Sequence, residues 1–465
     1  MSISSSALAG VLESAKDRFF PLSAFRSVYR FHYTGLALYS YLCGSYFRSL
    51  GYCCRIRRLL DPLPRSCLVN QLYARLYRNH ILERGKLGPP AQNKVFRDFL
   101  LSTDCRTLRQ EWFGYGCRHM ASLKYPRPDD YPERQGNLIL VKKYNPLLGE
   151  KGVIYLRFNE SFRQFAALFD LLKIAEHYRI VLEPSTWGYL DEVFHLYVGS
   201  GLDVIVQSQD RIDYDVIRQM DSNLHPLRLG AGDWIDPEVF TPATKEGKSY
   251  DVVMIASWIR LKRHHILFRA LAQHRLSNLR VALIGYPWAG RTRRDIEREA
   301  RTYGVLQQID IYENIPHSQV ADIIRKSKIA VMLTKREGAN RAIYECLLCG
   351  VPVVLYRHNR GVNKDIIRSE TGVLADDDEL GPVMREMIAN YTRYNEVARW
   401  AASNVGRHVA HKKLNSCLEM IARNNGETYS QGICEIGASN SAYVFDSDRI
   451  QMESEYVKLY DYFRR

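Results

Sequence analysis

The chain has 465 residues, of which 46% are hydrophobic and 25% charged, and its formal net charge is +14. This composition is typical of a globular protein with room for two core-forming domains, and it excludes collagen-like and low-complexity chains. No run of about 20 apolar residues predicts a membrane-spanning helix. The ten cysteines are scattered along the chain, so we expect a reducing compartment rather than a disulfide framework.

Residues 1–135 are predicted to form a basic, helical N-terminal extension. They contain 21 Lys and Arg residues against 10 Asp and Glu residues, which is most of the net positive charge. Such an excess favours a polyanionic partner, although it also keeps a protein soluble. We recognise no nucleic-acid-binding module here, so no specific nucleic-acid partner is expected.

The segment from Tyr33 to Phe47 is apolar and aromatic, and arginines stand on both sides of it. Two interpretations of this segment are open. Residues 1–60 either lie against an anionic membrane surface, or they form helices that pack on the protein body with their arginines in water. Residues 1–20 lack the ordered features of a signal peptide, so we expect a cytoplasmic protein, which under the first interpretation would bind the inner face of the plasma membrane.

Alternating strands and helices begin near Asn137 and predict a Rossmann-like domain over residues 136–234. Asn159 and Trp187 follow predicted strand ends, where ligands gather in open α/β sheets. His195 is interpreted as structural. The predicted strands cover Leu138–Val141, Gly152–Phe158, Arg179–Pro184 and Leu202–Val206, and helices are predicted over 162–178 and near 189–197.

The turn-rich segment from Leu227 to Pro242 predicts a crossing between domains, with the boundary near residue 235. A second Rossmann-like domain is expected over 235–400, followed by C-terminal helices and a tail over 401–465. Its predicted strands cover Tyr250–Ala256, Val281–Gly285, Ile309–Tyr312, Ile329–Leu333 and Val351–Tyr356.

The last two of these strands enclose the most informative segment of the chain. Between them the sequence predicts a short loop and a helix of about three turns, which Gly350 ends as a left-handed residue. Cys346 and Cys349 form the only C-x-x-C pair in the chain, and we expect them to fill the core beside the sheet.

Two carboxylates mark this βαβ unit. Glu337 lies in the predicted loop, and Glu345 follows eight residues later in the helix. On a helix that separation is roughly 12 Å along the axis and about 80° around it, so the pair is suited to two parts of one elongated ligand. Three small residues where the helix starts would offer backbone N–H groups to an anion: Gly338, Ala339 and Asn340.

The spacing of these glutamates, followed by a small residue, Gly, any residue and Pro, resembles the signature of the family-4 retaining glycosyltransferases of the GT-B fold. Asp236, Phe240 and Pro242 match that family's interdomain segment. The resemblance implies an α/β protein with two Rossmann-like domains facing across a cleft (GT-B), to which this chain adds the helical basic N-terminal extension and C-terminal helices.

The resemblance also implies roles for single residues. Glu337 would hydrogen-bond the donor sugar, and Glu345 would hold the ribose hydroxyls of the nucleotide. Lys262 matches the lysine that binds the donor diphosphate. The matching arginine position falls near Ser257, so Arg260 or Arg263 would replace it, and we favour Arg260.

Three further contacts complete the expected site. Ile315 lies in a loop like the one that faces the nucleotide base, and Gly361 would let backbone amides approach phosphate. Asn159 and Trp187 are expected on the acceptor side.

The resulting hypothesis is a retaining glycosyltransferase that moves a sugar from a nucleotide-sugar donor to a saccharide acceptor. With a basic first third, a lipid-linked acceptor in cell-surface polysaccharide synthesis is expected. No metal or cofactor is expected, because the nucleotide sugar is a substrate. The alternative is a catalytically silent GT-B-like protein that binds sugar nucleotides or serves as a scaffold.

Overall fold

The computed structural model describes residues 23–60, 66–82, 93–114, 138–184, 191–242, 247–274, 276–338, 340–437 and 443–464. Trp187 and Ala339 lie outside these residues. The chain divides into two compact units. The N-terminal unit comprises Met1–Leu227, Leu418–Cys434 and Phe445–Arg465, and the C-terminal unit comprises Arg228–Cys417 and Glu435–Val444.

The described residues of the N-terminal extension are mostly helical, as the sequence predicted. Its helices are α1 (Ser23–Leu42), α2 (Tyr46–Leu60), α3 (Leu68–Leu76), a π-helical turn (Tyr77–Ile81), α4 (Lys94–Leu101) and α5 (Thr103–Gly114).

These helices belong to the same compact unit as the first sheet, whereas the sequence interpretation treated residues 1–135 as a separate region. Arg58 Nη1 lies 3.4 Å from Asp191 Oδ2, and Tyr73 Oη lies 2.8 Å from His195 Nε2. Asn93 donates to the carbonyl of His195 at 3.4 Å. Burial lowers the pKa of His195 to about 4, so this histidine is neutral and structural.

The sheet of the N-terminal unit has the strand order β1-β2-β3-β4-β5 among the described residues, with β1 antiparallel to β2 and the others parallel. The strands are β1 (Leu138–Lys142), β2 (Gly152–Arg157), β3 (Tyr178–Glu183), β4 (Val204–Gln207) and β5 (Leu224–Leu227). Helices α6 (Asn159–Leu168), α7 (Leu171–His177) and α8 (Arg211–Gln219) connect them, with a 3-10 turn at Glu192–Leu196.

Local structure differs from the sequence prediction at two places in this unit. The helix expected over 162–178 is interrupted because Asp170 caps α7 and accepts a hydrogen bond from the Leu172 N–H at 3.1 Å. The helix expected near 189–197 is instead the short 3-10 turn at Glu192–Leu196.

The sheet of the C-terminal unit is parallel throughout, in the order β11-β10-β9-β6-β7-β8 among the described residues. Its strands are β6 (Tyr250–Ile255), β7 (Val281–Gly285), β8 (Ile309–Glu313), β9 (Ser327–Met332), β10 (Val353–Tyr356) and β11 (Gly372–Ala375). Helices of this unit are α9 (His264–Gln273), α10 (Arg293–Thr302), α11 (His317–Arg325), α12 (Arg341–Leu348), α13 (Leu380–Ala389) and α14 (Val397–Asn404).

Alternation of side chains along the strands produces two apolar layers, one on each face of this sheet. Val253 and Ala330 pack in one layer, whereas their neighbours Val252 and Ile329 pack in the other. Because both faces are covered, the strands read in sequence as continuous apolar runs, which explains why pattern alone located most of them.

The C-terminal residues 401–465 are shared between the units rather than forming one region. Helix α15 (Arg407–Asn424) begins in the C-terminal unit and ends in the N-terminal unit. Helix α16 (Asp446–Lys458) belongs to the N-terminal unit, where Glu455 Oε1 accepts from the Tyr178 hydroxyl at 2.5 Å. No helix in the described ranges is both long enough and apolar enough to cross a bilayer.

Candidate functional site

The predicted donor-binding residues lie in loops at one edge of the C-terminal sheet. Lys262 follows β6, Ile315 follows β8, Glu337 follows β9 and Gly361 follows β10. Because the strands are parallel, all these loops leave from carboxyl ends, which meet at the same edge of the sheet.

Lys262 and Glu337 form the closest contact among these residues. Lys262 Nζ lies 2.6 Å from Glu337 Oε1, and the adjacency of β6 and β9 brings the two loops together. Asn340 Nδ2 lies 3.4 Å from the same carboxylate oxygen. Only 8% of the Glu337 side chain is exposed, so the carboxylate depends on these partners.

Backbone hydrogen bonds fix the position of Glu337. Its N–H donates to the Arg360 carbonyl at 2.9 Å, and the Arg360 N–H donates to the Lys335 carbonyl at 2.8 Å. Gly361, the next residue, has φ +90°, a left-handed conformation that glycine adopts without strain. The loops after β9 and β10 therefore support each other.

The two arginines that sequence analysis considered for the diphosphate have different surroundings. Arg263 is buried, donates to the Leu333 carbonyl at 2.9 Å, pairs with Asp377 and lies 4.5 Å from the Tyr356 ring centroid. Arg260 is exposed, and its side chain has no hydrogen bond or ion pair with any described residue. Arg260 is thus available to a ligand, whereas Arg263 anchors the loop.

A buried histidine reports the electrostatic character of this loop. Burial lowers the pKa of His264 to about 3, and the positive charges of Arg291 and Lys262 contribute to this lowering. Neither ring nitrogen has a hydrogen-bond partner among the described residues. His264 is therefore neutral and lies in an electropositive region, which suits an anionic ligand.

Glu345 lies in α12, which begins at Arg341 and is shorter than the predicted three turns. Glu337 is outside this helix, so the separation calculated for two residues of one helix does not describe the pair. Glu345 is buried, and burial raises its pKa to about 7, against the opposing effect of Arg341. Gly350, at φ +76°, ends the helix as predicted.

The packing of α12 also agrees with the sequence interpretation of its cysteines. Cys346 and Cys349 are buried in the apolar layer on this face of the sheet. Tyr344 of the same helix packs against Gly232, where an added Cβ would lie 2.5 Å from the Tyr344 ring. This close approach fixes the helix that holds Glu345.

Several cations of this edge were not predicted from the sequence. Lys335 and Arg336 precede Glu337, Arg341 starts α12, and Arg360 pairs with Arg336 through a backbone bridge. The signal was a Lys-Arg pair in the loop that follows a buried strand, a position where ligands bind in parallel sheets.

Ile315 lies beside the end of β7. The preceding Asn314 has φ +54°, and its N–H donates to the Gly285 carbonyl at 3.0 Å. The Ile315 side chain packs against an apolar core layer, which leaves its backbone as the part able to contact a base. Its assignment to the nucleotide stays a prediction.

In the N-terminal unit, the acceptor-side predictions stay untested. Asn159 is buried and donates to Asp191 Oδ2 at 2.9 Å, while Trp187 is outside the described residues, as Ala339 is in the other unit. Phe158, which precedes Asn159, has φ +68° at the carboxyl end of β2. A residue other than glycine thus occupies a strained conformation at this strand end.

Comparison with known proteins gives one family match, within the second unit. Residues 236–401 match the family model described as glycosyl transferases group 1. No curated protein matches the chain in a sequence comparison.

Comparison with solved structures gives matches with TM-scores below 0.5. Sucrose-phosphate synthase from Thermosynechococcus elongatus is 14% identical, with a TM-score of 0.47 over 58% of this chain and 74% of that one. HepE from Anabaena, in complex with UDP, is 13% identical, with a TM-score of 0.47 over 58% and 78%. The pneumococcal O-GlcNAc transferase GtfA, in complex with UDP and GlcNAc, is 10% identical, with a TM-score of 0.44 over 54% of each chain. The assignment therefore depends on the match over residues 236–401.

Proposed function

Because residues 236–401 match the glycosyl transferases group 1, we propose that this protein moves a sugar from a nucleotide-sugar donor to a saccharide acceptor with retention of anomeric configuration. The observation that supports this most directly is the Lys262–Glu337 pair, whose charged atoms lie 2.6 Å apart at the carboxyl edge of the sheet. The breaking bond of a sugar nucleotide has phosphate on one side and a hydroxylated ring on the other. A cation can bind the phosphate, and a carboxylate beside it can accept hydrogen bonds from the hydroxyls of the ring.

The proposed reaction breaks the bond between the anomeric carbon and the phosphate oxygen. Negative charge then grows on the leaving diphosphate, where Lys262 and Arg260 stabilise it. The acceptor hydroxyl forms the new bond to the anomeric carbon from the same face, and its proton passes to an oxygen of the leaving phosphate. Glu337 accepts hydrogen bonds from sugar hydroxyls, and Glu345, when ionised, accepts them from the ribose.

Transfer assays with a panel of nucleotide sugars test this proposal, and NMR of the product reports the anomeric configuration. We expect one donor to be consumed with its configuration kept. Inversion would contradict retention. Binding of a sugar nucleotide without turnover would favour the catalytically silent alternative over transfer.

We further propose that the acceptor is lipid-linked and that the protein meets the anionic inner face of the plasma membrane through α1. Large apolar side chains of α1 face solvent: Phe31 is 84% exposed and Leu42 82% exposed, and Val28 and Tyr39 are exposed as well. Arg26, Arg30 and Arg48 are exposed nearby in the chain. Exposed apolar side chains with basic neighbours suit the interface of an anionic bilayer.

The structure determines how this contact should be tested. Another face of α1, with Tyr29, Tyr33 and Ala37, is buried, so deletion of residues 1–60 would expose a core. The sharper test is Phe31→Asp combined with Leu42→Asp in the full chain, with the exposed Ile450→Asp as control. We expect only the double variant to lose sedimentation with phosphatidylglycerol vesicles. Equal sedimentation of the double variant and the wild type, or none by the wild type, would contradict the membrane contact.

A further inference from the structure

A tight hairpin projects from the carboxyl end of β7, between Tyr286 and Arg291. Trp288 N donates to the Arg291 carbonyl at 3.2 Å, and Arg291 N donates to the Trp288 carbonyl at 3.1 Å. The two turn residues have positive φ, +52° at Ala289 and +77° at Gly290, as a two-residue hairpin turn requires. Alanine is strained in this conformation, so the turn is maintained by its surroundings.

The base of the hairpin is held by two contacts. Arg291 Nη2 lies 3.1 Å from Glu299 of α10, and the Tyr286 carbonyl accepts from the Trp258 N–H at 3.0 Å. Trp258 is itself fully buried, and its indole N–H donates to Glu313 at 2.7 Å. The hairpin is therefore a fixed projection from the sheet edge.

Two aromatic rings of this hairpin are left in water. Trp288 is 61% exposed and Tyr286 48% exposed, and their ring centroids lie 6.4 Å apart at 84°. An indole contributes little to folding when it is this exposed. A rigid, exposed aromatic face is instead suited to bind a flat ligand group.

The place of the hairpin in the sheet indicates which ligand group it meets. Strand β7 lies between β6 and β8, so the hairpin leaves the sheet between the loop with Arg260 and Lys262 and the loop with Ile315. The Tyr286 carbonyl at the base of the hairpin accepts a hydrogen bond from the backbone N–H of Trp258, which lies in the loop after β6, so the hairpin and this loop are in contact. Arg291 and Lys262 accordingly both lower the pKa of His264. A nucleotide with its diphosphate at Lys262 would have its base near these loops.

We propose that the indole of Trp288 stacks on the nucleobase of the donor. The proposal rests on the proposed function, because it requires a nucleotide donor at this edge of the sheet. Stacking on an aromatic side chain is tolerant of base identity, since every base has a π-face. The hairpin would therefore supply affinity, while contacts of the loop with Ile315 to the edge of the base would select the base.

The test is calorimetric titration of the full chain with UDP, ADP and GDP, and with inorganic pyrophosphate as a ligand that lacks a base. We expect Trp288→Ala to lower the affinity for nucleoside diphosphates by roughly 5- to 150-fold and to leave the affinity for pyrophosphate unchanged. Trp288→Phe should keep most of the affinity. The control is Phe445→Ala, which removes another exposed aromatic ring from the N-terminal unit.

Tryptophan fluorescence gives a second readout. An exposed indole that becomes stacked on a base changes its emission, so the nucleotide-dependent change should be present in the wild type and lost in Trp288→Phe. Wild-type affinity of Trp288→Ala for nucleoside diphosphates, equal weakening of pyrophosphate, or loss of affinity only for the saccharide acceptor would each overturn the stacking proposal while leaving transfer intact. A wild type that binds none of the three nucleotides would instead contradict the proposed function, and the stacking proposal with it.

Discussion

The Lys262 ammonium and the Glu337 carboxylate form a 2.6 Å ion pair in which the acid is more buried than the base, with side-chain exposures of 8% and 19%. A buried carboxylate needs its partner more than a partly exposed ammonium does. A donor diphosphate that reaches Lys262 therefore competes with Glu337 for the same cation. The pair is central to the stability of the empty site and to the chemistry that we propose for it.

Lys262→Ala should lower both the transfer activity and the free energy of unfolding. We expect transfer to fall by at least about 10²-fold in kcat, because a fixed charge at the leaving group is lost. The free energy of unfolding should fall by about 1–3 kcal/mol, because Glu337 is left buried without its main partner. Steady-state kinetics and urea unfolding measure the two effects.

The matched control is Arg280→Ala. Arg280 pairs with Asp310 at 3.0 Å, but both side chains are exposed, 62% and 48%. Exposed pairs contribute about 0–1 kcal/mol, so this variant should keep both stability and transfer. A fully active Lys262→Ala enzyme would remove the diphosphate role of the lysine.

Alanine variants of Arg260 and Arg263 should separate an effect on ligand binding from an effect on stability. Arg260→Ala should bind the donor nucleoside diphosphate about 10- to 150-fold more weakly with unchanged stability, since its side chain is exposed and has no partner among the described residues. Arg263→Ala should lower the free energy of unfolding by about 3 kcal/mol, because it removes a buried guanidinium from Leu333 and Asp377. Calorimetric titration and urea unfolding distinguish them, and the reverse pattern would show that Arg263 is the diphosphate ligand.

Glu345 predicts a pH dependence of stability. Because burial raises its pKa from 4.5 to about 7, the folded chain holds this proton more tightly than the unfolded chain does. Stability should therefore decrease as pH rises from about 4.5 to 7, and the penalty at pH 8 should be about 3 kcal/mol. Glu345→Gln should match the wild type near pH 4 and be more stable at pH 8.

Binding of the nucleotide ribose should also depend on the protonation state of Glu345. If the ionised carboxylate of Glu345 accepts hydrogen bonds from the nucleotide, binding below pH 7 should release a proton. Titrations in buffers of different ionisation enthalpy measure that release, and Glu345→Gln should abolish it. For the stability prediction, the contradicting result is the same pH dependence of the free energy of unfolding in Glu345→Gln and the wild type, which would show that the pKa of Glu345 is not raised.

Gly285 should be intolerant of any side chain. A Cβ at this position would lie 2.6 Å from the Trp258 ring and would also overlap the Ala256 carbonyl. Gly285→Ala should therefore destabilise the C-terminal unit by about 1–3 kcal/mol, because backbone and a buried indole must move. Gly35 of α1 is the control, since a Cβ added there would meet no atom within 4 Å and alanine favours a helix. Similar thermal stability of Gly285→Ala and the wild type would show that the strand end can relax.

The C-terminal sheet could be predicted from sequence because its strands are buried on both faces. Val281–Gly285 was predicted to the residue, and Tyr250–Ala256 was one residue too long. Gly372–Ala375 was missed because a four-residue strand that begins with glycine has no pattern of its own.

The helix caps were harder to predict, because caps depend on backbone geometry. Helix α11 begins at His317 with Pro316 at its N-cap position, although the next residue, Ser318, is of the type that favours caps. Similarly, the Asp170 cap that interrupts the first domain's long helix depends on a local turn that hydrophobic spacing does not indicate.

The candidate site was predictable in its residue types but only partly in its contacts. The spacing of Glu337 and Glu345 identified the segment, yet the direct pairing with Lys262 depends on β6 and β9 being neighbours in the sheet. Likewise, sequence could not separate Arg260 from Arg263, because only folding shows which guanidinium is already engaged. The Trp288 hairpin was missed because its turn, Ala289-Gly290, lacks the Asn-Gly signal.

The most direct test of the proposed donor site is calorimetric titration of the preferred nucleoside diphosphate into the wild type and Lys262→Ala. We expect the wild type to bind and the variant to bind about 10- to 150-fold more weakly, with a smaller loss for a nucleoside that lacks phosphate. Equal affinity of the two proteins for the diphosphate would contradict a donor site around Lys262 and Glu337.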